Sequence, residues 1–480
     1  MAIATNIGRL RRPPPAKTEP WGWAEVFAIS QTALPAMLYL PGTQFLRPFI
    51  RISAFAISLL ILLQTLPKGR VKVLSEHPAF PAMKACLLYL SLMVIHPYTS
   101  GLVAGVATVG FYAAVGAPTV WAPRVVHSAA QLRRLLWILC ICNGVNALVG
   151  ILQVQNPARW MPAEFTSLYK GNDVFMSVVT YKGVDGRDII RPPGLFDTPG
   201  AVAGPGMLAG FFGLVLLQET KNLFHKLVAA VMAGFGITVI YFTLVRSALL
   251  VMIGMLIAYA ILKTRRGGLG PVVVFMAAAL SIAVFGFNFA RELGGESIEK
   301  RFSTLVEEKS SDLYYRSRGI SVEAGFTEIL PRYPLGAGLG RWGMVAVYVG
   351  GQSRDENGLW AETQLPAWII DGGVVLLCGY IWALYKTTRW IYVESMKSAQ
   401  PEVANLGVVV IAASAGILVH CMSFPVFSTQ LGLQYWFLVG AAFSVLRHKP
   451  AVETTETETA PPRKVGPFSR MPVRGFRGNP

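Results

Sequence analysis

The chain contains twelve long apolar segments, and this feature limits its possible folds more than any other. A helix needs about 20 mostly apolar residues to cross a bilayer. Segments of roughly that length lie near residues 25–42, 50–66, 80–97, 101–120, 135–153, 200–217, 226–243, 247–262, 271–289, 366–386, 404–421 and 428–446. Because backbone groups in lipid must be satisfied within the protein, helices are the expected form. The sequence therefore predicts an all-α, polytopic membrane bundle of about 12 transmembrane helices.

Composition argues against a soluble protein. Charged residues make up 14% of the 480 residues and hydrophobic residues 53%, whereas soluble domains carry about 25% charged residues. So few charges cannot cover the surface of a soluble chain of this length. We therefore expect most of the surface to face lipid.

The basic residues predict the orientation of the bundle. The chain has 43 Lys and Arg against 26 Asp and Glu, a net charge of +17, and short cytoplasmic loops of membrane proteins are enriched in Lys and Arg. Basic connections lie near residues 68–72, 124–134, 221–226, 263–266 and 386–397. Every second connection is thus basic, which predicts that both termini are cytoplasmic. The positive charge is expected to meet anionic membrane lipids, and no nucleic-acid partner is expected.

Three regions follow from this pattern. Residues 1–24 form a basic cytoplasmic N-terminus, residues 25–446 form the transmembrane domain, and residues 447–480 form a cytoplasmic tail whose composition predicts disorder. Two connections on the other side of the membrane, 154–199 and 290–365, are long. Connections of that length usually carry function or structure of their own, so extracytoplasmic chemistry is expected there.

The second long connection has local structure of its own. Ser310 begins a plausible N-cap sequence, and a helix-like run continues to about Leu330, where Pro331 and Pro334 are expected to end it. The glycine-rich stretch 336–340 follows. Its bare backbone could approach a ligand or another helix.

No sequence motif indicates a cofactor or a metal site. The chain has no P-loop, no dinucleotide-binding glycine pattern and no Cys/His group with metal-ligand spacing. The five cysteines all fall within or at the edge of apolar segments, where they are expected to be small buried residues. No cofactor is therefore expected.

Arginines near the extracytoplasmic ends of the apolar segments are the candidate binding residues. Arginine in or beside lipid is costly and tends to mark a site, and its planar fork suits phosphate oxygens. These arginines could instead reach into water or bind lipid headgroups, but Arg246 lies in a turn too short for that. The candidates are Arg191, Arg246, Arg316, Arg318 and Arg341.

The order of these motifs resembles the O-antigen ligase and O-antigen polymerase superfamily of bacterial inner-membrane glycosyltransferases. The resemblance covers about residues 185–445 and rests on loose motifs that share one side of the membrane. They are Arg191-x-x-Gly194-x-Phe196, Arg246-Ser247, Arg316 in the long loop, Pro334-Leu335-Gly336-Ala337-Gly338-Leu339-Gly340 and Asp371-Gly372-Gly373.

The resemblance implies a metal-independent glycosyl transfer on the extracytoplasmic face of the bacterial inner membrane. The donor is a glycan on undecaprenyl diphosphate, and the acceptor is a hydroxyl of a glycan or lipid-linked molecule. Other polysaccharide-assembly proteins are partners that the resemblance allows. Arginines are expected to hold the diphosphate: Arg191 and Arg246 match the family best, Arg316 more loosely with Arg318 as its alternative, and Arg341 is a further candidate.

The general base departs from the family pattern. Ligases of this family usually carry a His-Asn pair where this chain has Glu362 and Thr363, nine residues before Asp371. Glu362 is predicted to accept the proton of the acceptor hydroxyl, a role that burial would favour, to pair with an arginine, or to be a surface carboxylate. His420 ends the eleventh apolar segment and could approach the same cavity. The missing histidine favours a polymerase over a ligase.

Two other classes of function remain open. A transporter or flippase of lipid-linked oligosaccharides would suit twelve spans with both termini inside, but transporters tend to have repeated halves and midplane charges. The sequence has no convincing repeat, and its candidate charges lie at the outer edge. The third possibility is a non-catalytic membrane scaffold of a polysaccharide-assembly complex.

Overall fold

The computed structural model describes residues 20–40, 42–66, 75–161, 179–196, 198–349 and 359–448. The described residues up to Arg447 belong to one compact helical unit. Residues 1–19 and 449–480 lie outside the described residues, and with them most of the predicted basic N-terminus and almost all of the predicted disordered tail.

Helices dominate the described part of the chain. In chain order they are α1 Trp23–Ala36, α2 Arg47–Thr65, α3 Phe80–Met93, α4 Leu102–Gly116, α5 Pro118–Val125, α6 Ala129–Gln155, α7 Pro157–Trp160, α8 Ala203–Glu219, α9 Leu223–Thr243, α10 Arg246–Gly267, α11 Gly270–Glu307, α12 (310–332), α13 Gly343–Tyr348, α14 Gln364–Lys397, α15 Pro401–His420 and α16 Gln430–Arg447. Helix α12 is irregular, with π-helical turns at Tyr315–Gly319 and Gly325–Ile329. A short antiparallel hairpin pairs β1 Thr180–Lys182 with β2 Asp188–Ile190.

A helix occupies each of the twelve predicted apolar segments. Within the described residues, eight helical segments are long and apolar enough to cross a membrane. They are Arg47–Thr65, Leu102–Val125, Ala129–Gln155, Leu223–Thr243, Arg246–Gly267, Gly270–Glu307, Gln364–Lys397 and Pro401–His420. The structure is therefore compatible with the predicted all-α membrane bundle, whereas the count of about 12 spans stays a prediction.

Helix α11 continues far beyond its predicted end. Charges from Arg291 onward suggested a connection starting at residue 290, but the helix continues to Glu307. It remains helical because Ile298 and Phe302 are buried on one face. A kink at Gly295, where φ is +59°, marks the change from the apolar half to this amphipathic half.

Helix α12 follows the predicted helix-like run, with two differences at its ends. Its first residue is Ser310, and the preceding Lys309 supplies no side-chain cap. The predicted N-cap is therefore wrong. The last helical residue is Arg332, so Pro331 is accommodated inside the last turn.

Small residues bring α8 and α9 close together. A Cβ added to Gly236 would lie 2.5 Å from the carbonyl oxygen of Gly206, so the two backbones almost touch. Close approach through small residues is typical of helix packing in membranes. Beside this contact, a Cβ on Gly200 would lie 3.7 Å from Val245 Cγ2. The chain entering α8 and the turn leaving α9 therefore lie side by side.

Candidate functional site

The predicted site residues lie at one end of the bundle. Helix α14 begins where α15 ends, because the amide of Gln364 donates to the carbonyl of Cys421 at 3.0 Å. Helix α12 joins the same end through the hydroxyl of Tyr314, which donates to the carbonyl of Met422 at 3.0 Å. Five elements that are distant in sequence therefore contribute to one surface: the entry to α8, the start of α10, the end of α11, α12 and the α14–α15 contact.

The turn around Arg191 is held rigidly. The Arg191 amide donates to the carbonyl of Val179 at 2.9 Å, and its carbonyl accepts from the amide of Gly200 at 3.2 Å. Gln153 of α6 binds both sides of Gly194, accepting from its amide at 3.0 Å and donating to its carbonyl at 2.8 Å. Gly194 has a φ of +66°, a conformation that favours glycine. The first motif is thus a fixed turn that positions Arg191.

The turn before Arg246 contains strained backbone. Leu244 has φ +57° and is the one non-glycine residue with positive φ in the described chain. Such strain persists where surrounding contacts enforce it and often marks functional sites. Here Leu244 is buried, and its carbonyl accepts a hydrogen bond from Arg301 Nε at 3.3 Å. Arg246 Nη1 donates to Thr304 Oγ1 at 2.6 Å.

Arg301 brings three arginines together. The charges of Arg246 and Arg191 both act on its guanidinium, so Arg191, Arg246 and Arg301 form one group, called here the arginine cluster. The Nε of Arg191 is buried without a hydrogen-bond partner, and burial lowers the pKa of this guanidinium while nearby Tyr181 opposes the shift. Like charges near one another repel, and an anion bound between them would relieve the repulsion.

Glu308 links the arginine cluster to Arg316. Its carboxylate acts on the charge of Arg246 and forms an ion pair with Arg316, Oε2 to Nη2 at 2.7 Å. The side chain of Arg316 is 68% exposed. The structure therefore places Arg316 beside the arginine cluster with Glu308 as its partner, at the more exposed edge.

Arg318, Glu362 and His420 form a second group. Arg318 Nη1 is ion-paired with Glu362 Oε2, and the charge of Arg318 acts on the imidazole of His420. The Nδ1 of His420 lies 2.9 Å from Ser423 Oγ. Of the three alternatives for Glu362, pairing with an arginine is what the structure describes. The burial that would favour a base is absent, since this side chain is 39% exposed.

The two groups adjoin through α12. Arg316 and Arg318 share one π-helical turn; Arg316 contacts Glu308, beside the arginine cluster, and Arg318 contacts Glu362. Local π-turns are frequent at functional sites. Arg318 therefore lies next to a carboxylate and a buried imidazole, and α12 connects this group to the arginine cluster, which can bind an anion.

The glycine motif and the Asp371 motif form one structural joint. The amide of Ala337 donates to the carbonyl of Ile370 at 2.7 Å. A Cβ on Gly373, where φ is +58°, would lie 2.6 Å from the amide nitrogen of Gly336. The glycines therefore allow the loop around residues 334–340 to pack closely against the kink of α14.

Asp371 holds this joint together. It is 3% exposed and accepts hydrogen bonds from the Tyr112 hydroxyl at 2.7 Å and from Trp342 Nε1 at 2.9 Å. At the end of the glycine motif, Arg341 Nη1 donates to the carbonyl of Ala337 at 3.1 Å. The hydrogen bond that the structure describes for Arg341 thus stays inside its own turn.

Sequence reasoning did not identify three residues of this site, which are Arg301, Thr304 and Glu308. They stand at helical spacing, three and four residues apart, so an unbroken helix would have aligned them on one face. Hydropathy alone hides this signal, because the charged residues from Arg291 onward predict a connection rather than a helix. The apolar residues Ile298 and Phe302, at a spacing of four, were the evidence for a continuing helix.

Comparison with known proteins adds no family to this picture. A scan against protein-family models finds no match for the chain, and a search of curated proteins finds no significant match. The function is therefore argued from the residues and their geometry.

Proposed function

We propose that the protein transfers or polymerises an undecaprenyl-diphosphate-linked glycan on the extracytoplasmic face of the bacterial inner membrane, with polymerisation favoured over ligation. The observation that carries the proposal is the arginine cluster at the ends of apolar helices. A diphosphate carries several negative charges and matches the planar guanidinium fork. Its lipid chain can remain in the bilayer while the diphosphate lies between the arginines.

The arrangement suggests how the chemistry proceeds. A hydroxyl oxygen of the acceptor forms a bond to the anomeric carbon of the donor glycan, while the bond from that carbon to the diphosphate oxygen breaks. Negative charge grows on the leaving lipid diphosphate, and Arg191, Arg246 and Arg301 stabilise it. Preorganised charges of this kind often supply the largest part of catalysis.

The proton of the acceptor hydroxyl requires a base. Although Glu362 lacks the burial that would favour a base, we assign this role to it because it is the carboxylate beside Arg318, which orients it through the ion pair. His420 lies in the same group and is assigned to acceptor binding, with Ser423 fixing its ring through Nδ1. Both residues are close enough to Arg318 to bind one acceptor beside the arginine cluster.

Glu362→Gln is expected to lower the transfer rate about 100-fold, which is the usual contribution of a general base. Donor binding should be retained, because the arginine cluster is intact. The measurement is single-turnover transfer with purified protein and a lipid-diphosphate-linked repeat unit. Glu328→Gln is the matched control, since Glu328 is an exposed carboxylate on α12. A wild-type rate for Glu362→Gln together with a large loss for His420→Gln would move the base role to His420.

Deletion of the gene followed by glycan analysis tests the proposal as a whole. A polymerase predicts loss of long polymer while single repeat units are still attached to their final acceptor. A ligase predicts full-length polymer accumulating on its lipid carrier. Single repeat units accumulating on the cytoplasmic face would instead support the transporter alternative and contradict the proposal.

A further inference from the structure

A cavity of about 610 Å³ opens between the start of α3 and the later part of α14. It lies away from the arginine cluster. Near the C-terminal end of α3, the Tyr89 hydroxyl donates to the carbonyl of Leu335 in the glycine motif at 2.5 Å. The cavity lies at the N-terminal end of α3, beside Pro78 and Pro81. The proposed glycosyl transfer makes no use of it.

The cavity wall has a defined charge pattern. Its charged residues are Lys386, Arg389 and Glu394, and Trp382 and Trp390 stand among them on α14. Arg389 Nη1 donates a hydrogen bond to the Tyr385 hydroxyl at 3.0 Å. Lys386 Nζ lies 4.8 Å from the ring centre of Trp382, and neither cation forms an ion pair within the described residues.

The position of the cavity along α14 corresponds to a membrane surface. Helix α14 is kinked at Gly372 and Gly373, and its part from Val374 to Lys397 is about 36 Å long at 1.5 Å per residue, so this part alone is longer than the hydrocarbon core of about 30 Å. The cavity residues Trp390 and Glu394 lie 16 and 20 residues after Val374, which is about 24 and 30 Å along this part of the helix. Tryptophan is enriched at the level of the headgroups.

The apolar surface between the cavity and the other end of α14 could receive lipid chains. Ile381 is 47% exposed and Val375 is 40% exposed on α14, and Leu88 is 59% exposed on α3. A ligand with a charged head in the cavity and a long apolar tail would cover these side chains. Free phosphate would leave them uncovered.

We propose that this cavity binds one phospholipid whose headgroup carries both a phosphate and a primary amine. Lys386 and Arg389 bind the phosphate, and Glu394 binds the ammonium group. The two cations and one carboxylate match this zwitterionic head, whereas an anionic head without an amine would place its negative charge near Glu394, for which the described part of the chain holds no ion-pair partner. This site is independent of the proposed glycosyl transfer.

The test is lipid binding by the full-length protein after exchange into lipid-free detergent. Native mass spectrometry would measure binding of phosphatidylethanolamine, phosphatidylglycerol and inorganic phosphate. The wild-type protein should bind phosphatidylethanolamine more tightly than phosphatidylglycerol. Lys386→Ala combined with Arg389→Ala should weaken phosphatidylethanolamine binding about tenfold or more, as expected for loss of about 1.4 kcal/mol. Glu394→Gln should remove the preference between the two lipids.

A matched control keeps the result specific. Arg265→Ala combined with Lys397→Ala removes the same charge, but neither residue lines the cavity, so lipid binding should stay at the wild-type level. Quenching of tryptophan fluorescence by phosphatidylethanolamine with brominated chains gives a second readout, which Trp390→Phe should reduce. Wild-type binding by the double cavity variant, equal binding of both lipids, or displacement of lipid by inorganic phosphate alone would each overturn the proposal.

Discussion

Arg301→Ala is expected to lower the rate of glycan transfer by about 100- to 1000-fold, the loss typical for removal of one preorganised charge from an active site. A large effect is expected because Arg301 lies within the electrostatic influence of both Arg191 and Arg246. Its Nε also donates a hydrogen bond to the carbonyl of the strained Leu244. The measurement is polymer yield and chain length in membranes from a strain whose own copy is deleted.

The stability of Arg301→Ala separates catalysis from folding. Removing one of three neighbouring cations relieves like-charge repulsion, although the hydrogen bond to Leu244 is lost. We therefore expect the free energy of unfolding, measured by thermal unfolding, to stay within about 1 kcal/mol of the wild-type value, since a single neutral hydrogen bond contributes about that much. A low transfer rate in a protein of normal stability would show that the cluster is kept for its ligand.

Arg291→Ala is the control on the same helix. Arg291 carries the same charge but is 55% exposed and ion-paired with Glu299 at 3.0 Å, and exposed pairs of this kind contribute little. It should leave transfer unchanged. Arg301→Lys keeps the charge without the planar fork and should give an intermediate rate. Equal, near-wild-type rates for Arg291→Ala and Arg301→Ala would contradict the assignment of the diphosphate site.

The same assay tests the two arginines that the sequence predicted. Arg191→Ala and Arg246→Ala should each shorten the polymer or abolish it, because the cluster surrounds one anion. If both variants left polymer length and yield unchanged, the proposed function would be wrong.

Hydropathy located the helices because lipid requires long apolar segments with their own backbone hydrogen bonds. It failed at the end of α11, where a helix with one buried face continues among charged residues. Arg246 could be predicted because a charge in a connection as short as 244–246 between two apolar segments has few positions without a role. Arg301 could not, since an arginine in a long polar connection is ordinary until its helix is recognised.

The second group was beyond the reach of one sequence for a different reason. Glu362 and His420 are 58 positions apart in the numbering, and their proximity depends on how α14 packs against α15 and how α12 presents Arg318. Hydrophobic periodicity reports local structure and cannot predict a contact between residues so far apart in sequence. The sequence left three alternatives for Glu362, and the tertiary contact with Arg318 corresponds to one of them, the ion pair with an arginine.

Gly338→Ala is expected to destabilise the protein by about 3 kcal/mol or more. An alanine at φ +92° is strained, which costs about 1–2 kcal/mol. Its Cβ would also lie 2.6 Å from the amide nitrogen of Thr99, and forcing atoms into a packed site costs about 1–3 kcal/mol. The collision is with backbone, so no side chain can move aside. Thermal unfolding in detergent, with the yield of folded monomer, measures the effect.

Gly343→Ala separates strain from collision. Gly343 also has positive φ, +67°, but a Cβ there would have no atom within 4 Å, so only the strain of about 1–2 kcal/mol applies. The sequence left two purposes for the glycine motif, approach to a ligand or approach to another part of the protein. A much larger loss of stability for Gly338→Ala than for Gly343→Ala would favour approach to another part of the protein. At the same contact, the amide of Ser100 donates to the carbonyl of Leu339 at 3.0 Å. Equal losses at both positions would show that the close approach to residues 98–99 contributes little to stability.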